Sequence, residues 1–168
     1  NELSKTLDVE IDRVVQKESL VESCQTTVMQ NKRTEGNKPN HALIALLDTG
    51  LKDYTNMRIL NKGYNFTDEG FKDQDGHGQQ MANIILQNTT QEVRILPIKV
   101  LGDDGHGTVL SLYLGILTAI NEGVDVINLS LGTYEKSDLL ESIVAEAISK
   151  GIVVVAAAGN EHINTSHV

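Results

Sequence analysis

Apolar residues gather in short dense runs along most of the chain, separated by segments of longer period. Ala42-Leu43-Ile44-Ala45-Leu46-Leu47 is continuous and bounded by polar residues, the pattern of a strand buried on both faces. Residues 93–101 repeat it, with Pro97 as a blemish that predicts an edge position or irregular pairing. Residues 124–131 and 152–158 are two more such runs. Between them the period is helical. A helix is predicted from His77 to about Leu86, with the apolar run Ile84-Ile85-Leu86 packing it into a core. A second covers residues 108–121, with Leu110, Leu114, Leu117 and Ile120 on one side and Glu122-Gly123 as its stop. A third is capped by Ser137, runs to Lys150 and closes at Gly151. Ile59-Leu60 and Tyr64-Asn65-Phe66 predict a small hairpin ahead of a polar, Asp-rich loop.

The first 40 residues follow a different rule. Leu3, Leu7, Ile11 and Val14/Val15 recur at helical spacing and predict a short amphipathic helix. Residues 23–40 are polar and end in Lys32-Arg33-Thr34-Glu35-Gly36-Asn37-Lys38-Pro39, a linker by composition. Residues 1–40 are therefore expected to be an arm lying on the main body, or the tail of a propeptide, followed by a linker. Residues 41–168 carry the regular pattern. Strands alternating with helices at this spacing imply an α/β fold, a doubly wound and mostly parallel sheet with helices on both faces. Ligand chemistry in such sheets gathers beyond the carboxyl ends of the strands. Asp48, Ser130-Leu131-Gly132 and Asn160 all sit there, and a histidine opens a helix near the same rim.

Composition narrows the partners. A net charge of −9 and an isoelectric point near 4.9 argue against nucleic acid or an anionic membrane surface as partner. No apolar run approaches the roughly 20 residues of a membrane helix. The single cysteine, Cys24, excludes an internal disulfide and leaves the compartment open. Asn rather than Met at position 1 is expected of a processed chain or a fragment. Four matches to the glycosylation pattern, at Asn65, Asn88, Asn128 and Asn164, are taken as chance.

The candidate chemistry begins with Asp75-Gly76-His77-Gly78, which lifts an imidazole clear of its neighbours at a helix start. Asp104-Gly105-His106-Gly107 repeats the same four letters, so the motif alone does not choose between two histidines. An Asp at the end of a buried strand, such as Asp48, can orient an imidazole through its Nδ1 proton and stabilise the imidazolium. His77 then serves as a general base with an unperturbed pKa near ~6.5. A carboxamide donor such as Asn160 could stabilise a developing oxyanion by about 3 kcal/mol.

From about Ala42 to Asn160 the chain resembles the first part of the catalytic domain of the subtilisin-like serine proteases, the subtilases. Five motifs carry the resemblance, in the family's order and with similar spacing. They are Asp48-Thr49-Gly50, Asp75-Gly76-His77-Gly78, residues 100–107, residues 125–132 and Ala156-Ala157-Ala158-Gly159-Asn160. The resemblance implies a serine endopeptidase in which Asp48 and His77 are the triad's acid and base and Asn160 is the oxyanion-hole donor. It makes Gly105-His106-Gly107 a substrate-lining strand, so His106 touches substrate and moves no proton. Ser130-Leu131-Gly132 would line the other side, the two pairing with an extended peptide by backbone bonds. Ala157-Ala158-Gly159 would line the primary specificity pocket, with room for a sizeable side chain.

The resemblance implies no cofactor and no metal, and residues 87–91 are short where many subtilases carry a calcium-binding loop. The implied partners are a peptide or protein substrate, a propeptide, and the remaining C-terminal part of the domain, where the nucleophilic Ser is expected. Ser166 lacks the flanking glycine and following helix of that nucleophile. Family analogy implies a secreted or cell-surface location. Two departures stand out: Gln79 follows His77-Gly78 where a His-Gly-Thr run is common, and Asn83 replaces a usual glycine. Both are expected to perturb helix packing beside His77. A non-catalytic relative that binds extended peptides is the alternative. A doubly wound domain binding a small ligand or nucleotide at its switch point is a third reading, without a Gly-rich phosphate fingerprint to support it.

Overall fold

In the computed structural model, residues 14–17 are described as backbone and residues 41–133 and 136–158 in full. The elements in chain order are β1 (Val14–Lys17), β2 (Ala42–Asp48), β3 (Tyr64–Asn65), α1 (His77–Asn88), β4 (Val93–Lys99) and β5 (His106–Thr108). There follow α2 (Val109–Asn121), β6 (Val126–Leu129), β7 (Leu131–Gly132), α3 (Asp138–Ser149) and β8 (Val153–Ala156).

Five strands form a parallel sheet in the order β3-β4-β2-β6-β8. The chain passes from β2 outward to β4, then returns across β2 to β6 and β8. The direction of winding therefore reverses beside β2, and its carboxyl end opens onto the crevice that such a reversal creates. The strand β2 pairs along its whole length with β4, Ala42 opposite Val93 and Asp48 opposite Lys99. Its side chains alternate between two cores, as a strand covered on both sides requires. Ala45 and Leu47 join Leu96, Ile98, Leu112, Ile116, Ile127, Ile143 and others beneath α2 and α3. Leu46 joins Leu51, Ile59, Met81, Ala82 and Ile95 beneath α1. This is the doubly wound α/β arrangement expected from the alternation of periods.

The helix α2 starts at a reciprocal cap in which Thr108 Oγ1 accepts from Ser111 N and Ser111 Oγ accepts from Thr108 N, both at 3.0 Å. Ser137 caps α3 as predicted, its hydroxyl accepting from Leu140 N at 3.3 Å.

Two expectations change. The predicted hairpin at 59–66 is absent. Ile59 bridges Ile95, and Tyr64-Asn65 pairs with Ile98-Lys99, both in parallel, so the segment is an interrupted edge of the main sheet. Pro97 lies on β4 between those two contacts, consistent with the irregular pairing that its missing N–H demands. Val14–Lys17 is a strand, overturning the helix predicted to include Val14 and Val15. It lies between β5 and β7 and is antiparallel to both, with Val15 opposite Gly107, Gln16 opposite His106 and Gly132, and Lys17 opposite Leu131. Ladders to partners distant in sequence outweigh a local helical period. The rest of that predicted helix, residues 1–13, lies outside the described residues, as do residues 18–40.

Gly115 places α2 against the sheet: a Cβ there would stand 2.5 Å from Val100 Cγ1 and 3.0 Å from Leu47 Cδ2. Gly115→Ala is expected to cost about 1–3 kcal/mol of stability through overpacking, read by urea denaturation. Wild-type stability in that variant would show that α2 does not pack this closely.

Candidate active site

The site is built where β2 ends and α1 begins. Asp48 is the last residue of β2, 1% exposed, and His77 is the first of α1, 7% exposed. His77 Nδ1 lies 2.8 Å from Asp48 Oδ1, which also accepts from Thr49 N at 2.7 Å. The shared carboxylate oxygen places the proton on Nδ1, because an ionised carboxylate only accepts. Asp48 is otherwise held by the sheet: its carbonyl accepts from Val100 N at 2.9 Å.

The helix start is held by side chains of the preceding segments. The first helical N–H groups have no intrahelical partner and must find one elsewhere. Asp75 Oδ1 accepts from His77 N at 3.0 Å, Thr49 Oγ1 from Gly78 N at 2.9 Å, and Asp73 Oδ2 from Gln79 N at 3.1 Å. Asp73 is buried, and its Oδ1 accepts from Gly76 N at 2.6 Å and from the Thr49 hydroxyl at 2.9 Å. Carboxylates at this end also meet the positive end of the helix dipole. Gly76 turns the chain into the helix at φ 106°, a left-handed conformation open to glycine. Gly78 lets the helix touch the end of β2, since a Cβ there would lie 2.2 Å from Gly50 O.

A second support is Lys99, fully buried at the end of β4 opposite Asp48. Its ammonium donates to Thr49 O at 2.8 Å and to Asp103 Oδ1 at 2.9 Å, joining the Asp48 turn to the loop that leads into β5. The bond from Lys99 holds the Asp103 carboxyl below the usual carboxylate range.

The two histidines of the repeated motif separate clearly. His77 is buried against Asp48, whereas His106 is exposed on β5 with Nδ1 3.0 Å from Asp104 O. Gly107 permits close contact with the sheet, a Cβ there falling 2.3 Å from Val100 O. The predicted lining segments face each other across β1: Gly105 precedes β5, His106 and Gly107 lie in it, and Leu131 and Gly132 form β7 just after Ser130. Ser130 Oγ accepts from Asn128 Nδ2 at 3.0 Å. Ala157 and Ala158 are exposed just beyond β8, with Ala157 N bonded to Leu129 O at 3.0 Å. Gly159 and Asn160, the predicted pocket glycine and oxyanion donor, lie outside the described residues. Among the described residues no group of three or more His, Cys, Asp or Glu could hold a metal ion.

Sequence reasoning did not single out Asp73, Thr49 or Lys99 as supports. Two of the three had a signal. Lys99 is a lone charge in an apolar strand run, and Asp73 lies four residues before His77 at a helix start. Gln79 and Asn83 are corrected: neither perturbs the helix. Gln79 Oε1 accepts from Lys52 N and Asp53 N at 3.0 and 2.9 Å, and its Nε2 donates to Asn83 Oδ1 at 3.1 Å.

The fold is a parallel α/β sheet with a buried carboxylate–imidazole pair at its switch point. The chain belongs to the subtilase family, whose family model matches residues 36–168. It is 36% identical over 138 residues to Subtilisin DY of Bacillus licheniformis, an alignment covering 76% of this chain and 50% of that protein. It is 38% identical over 127 residues to Subtilisin BL of Lederbergia lenta, covering 70% and 47% respectively. It is 33% identical over 128 residues to the Minor extracellular protease Epr of Bacillus subtilis, covering 70% and 20%. The chain thus spans half or less of the length of these relatives.

Two outcomes are expected here. Thr49→Val removes the hydroxyl that serves Gly78 N and Asp73 Oδ1 in a buried setting, and should cost about 1–3 kcal/mol in urea denaturation. For Asp103, a folded-state pKa below the unfolded one means stability present above the ordinary carboxylate range and lost as pH falls through the lowered value. The stability difference between wild type and Asp103→Asn should therefore be level near neutral pH and shrink below about pH 4. A difference that grows on acidification would contradict the Lys99 bond.

Proposed function

We propose that this chain supplies the acid–base pair and the peptide cleft of a subtilisin-like serine endopeptidase. The observation that carries the reading is the 2.8 Å contact between two buried side chains, Asp48 and His77, brought together from separate elements. The serine nucleophile is assigned to the part of the relatives' length that this chain does not span. In the proposed reaction the serine Oγ bonds to the scissile carbonyl carbon as its proton passes to His77 Nε2. That proton then goes to the leaving amine as the carbon–nitrogen bond breaks, and water repeats the cycle on the acyl-enzyme. Asp48 keeps Nδ1 protonated and stabilises the imidazolium, and Asn160 is assigned the oxyanion.

The substrate proposed is an extended peptide or protein chain, paired by its backbone to Gly105-His106-Gly107 on one side and Ser130-Leu131-Gly132 on the other. Ala157-Ala158-Gly159 is assigned to the pocket for its principal side chain. The strand β1 supports this assignment, because it occupies the same gap in the same extended form. Residues 1–40 are accordingly read as an arm whose β1 behaves as a propeptide tail. The same observation favours the second reading, a relative that holds peptide without cutting it. An extracellular setting is proposed from the family, in which one relative is named as an extracellular protease.

Serine-directed fluorophosphonate labelling of the full-length protein separates the two readings. His77→Ala or Asp48→Asn is expected to slow labelling and peptide hydrolysis by about 10⁴-fold. Labelling that is absent in wild type, or indifferent to His77, would leave only peptide binding. Val15→Pro puts a residue disfavoured inside strands into the middle of β1, and should speed hydrolysis of an added peptide if β1 competes for the cleft. An unchanged rate would separate β1 from the substrate's path.

A further inference from the structure

We propose that Gln79 is a positioning residue that sets the approach of His77 to Asp48, acting through the backbone of Lys52 and Asp53. The proposal rests on the acid–base reading of that pair.

Three successive residues of α1 each hold a successive part of the segment that leaves β2. His77 bonds Asp48. Gly78 donates to the Thr49 hydroxyl and lies directly on the Gly50 carbonyl. Gln79 completes the series with one side-chain oxygen that receives two backbone donors, Lys52 N and Asp53 N. Because both partners are N–H groups, that atom must be the carboxamide oxygen, which turns Nε2 toward Asn83 one helical turn on. The Asn83 acceptor thus fixes the rotamer of Gln79.

Between those attachments Leu51 is buried in the core beneath α1, and its carbonyl accepts from Asp73 N at 3.1 Å. The chain then leaves the sheet into an exposed stretch, where Lys52 and Asp53 would otherwise give their N–H groups to water. Losing those two bonds exposes nothing apolar and strands no buried donor, so the stability cost is small. The geometric cost is larger. Without Gln79 the last anchor of the segment is Leu51, and its outer end at Lys52 and Asp53 can swing relative to α1.

The test compares wild type, Gln79→Met and Gln79→Glu in the full-length protein. Met keeps the length and helix compatibility of Gln without its acceptor. Glu restores an acceptor for both N–H groups. The primary readout is the low-field Nδ1 proton of His77 in NMR spectra, which depends on its bond to Asp48 and needs no turnover. That signal is expected to broaden or vanish in Gln79→Met and return in Gln79→Glu, with a cooperative thermal transition throughout. In peptide hydrolysis, kcat should fall about 10- to 100-fold in Gln79→Met with KM little changed.

An Nδ1 signal that stays sharp in Gln79→Met overturns the proposal, as does failure of Glu to restore it. Loss of the cooperative transition in Gln79→Met also overturns it, since Gln79 would then be holding the fold. Failure of the protease reading looks different: wild type would show no His77-dependent labelling, while the Nδ1 signal would still judge the positioning role of Gln79.

Discussion

The structure turns on contact between two segments that leave the sheet and return to it at the same point. The carboxyl end of β2 carries Asp48, and the amino end of α1 carries His77. Their 2.8 Å bond exists because both elements are held from outside the pair. Asp48 is fixed by seven residues of parallel pairing to β4. The helix start is fixed by Asp73, Asp75 and Thr49, which serve its first three N–H groups. A buried carboxylate such as Asp73 is tolerable only when its oxygens are filled, and here Thr49, Gly76 and Gln79 fill them. The helix thus acquires its amino-terminal partners from the residues that must lie beside the imidazole.

The same economy extends to β5. Lys99 is the sheet neighbour of Asp48, and its ammonium reaches both the Thr49 carbonyl and Asp103. One buried cation therefore ties the turn after β2 to the loop before β5. Burying an ammonium demands acceptors close at hand, and the carbonyl and carboxylate that satisfy it belong to the two loops that shape the site. The carboxylate–imidazole pair and the strand facing β7 are in this way built on one frame. Glycines at 78 and 107 allow the close approaches on either side, each with a backbone carbonyl where a Cβ would be.

Gln79 and Asn83 show how a departure from a common pattern can be read wrongly from residue size. A longer polar side chain beside the imidazole predicts disturbed packing if it points into the core. It instead lies along the outer edge of the contact, where two N–H groups lacked partners. The outcome was set by the path of residues 51–53, which no local pattern describes. The N-terminal arm holds the parallel lesson. Val14 and Val15 fit a helical spacing, yet β5 and β7 offer backbone partners on both sides of an extended chain.

Periodicity alone determined the succession of β2, α1, β4, α2, β6, α3 and β8 and the burial of both faces of β2, because these follow from local alternation of apolar and polar residues, and the residue types at Ser137 and Gly151 marked the ends of α3. Motif order pointed to Asp48 and His77 within that frame. What only the tertiary structure decided was that His77 lies buried against Asp48, where Gln79 and Lys99 send their polar atoms, and that residues 14–17 lie as a strand between β5 and β7. Each of these depends on groups far apart in the chain becoming neighbours, and a hydrogen bond is satisfied by position in space, to which spacing along the chain is blind.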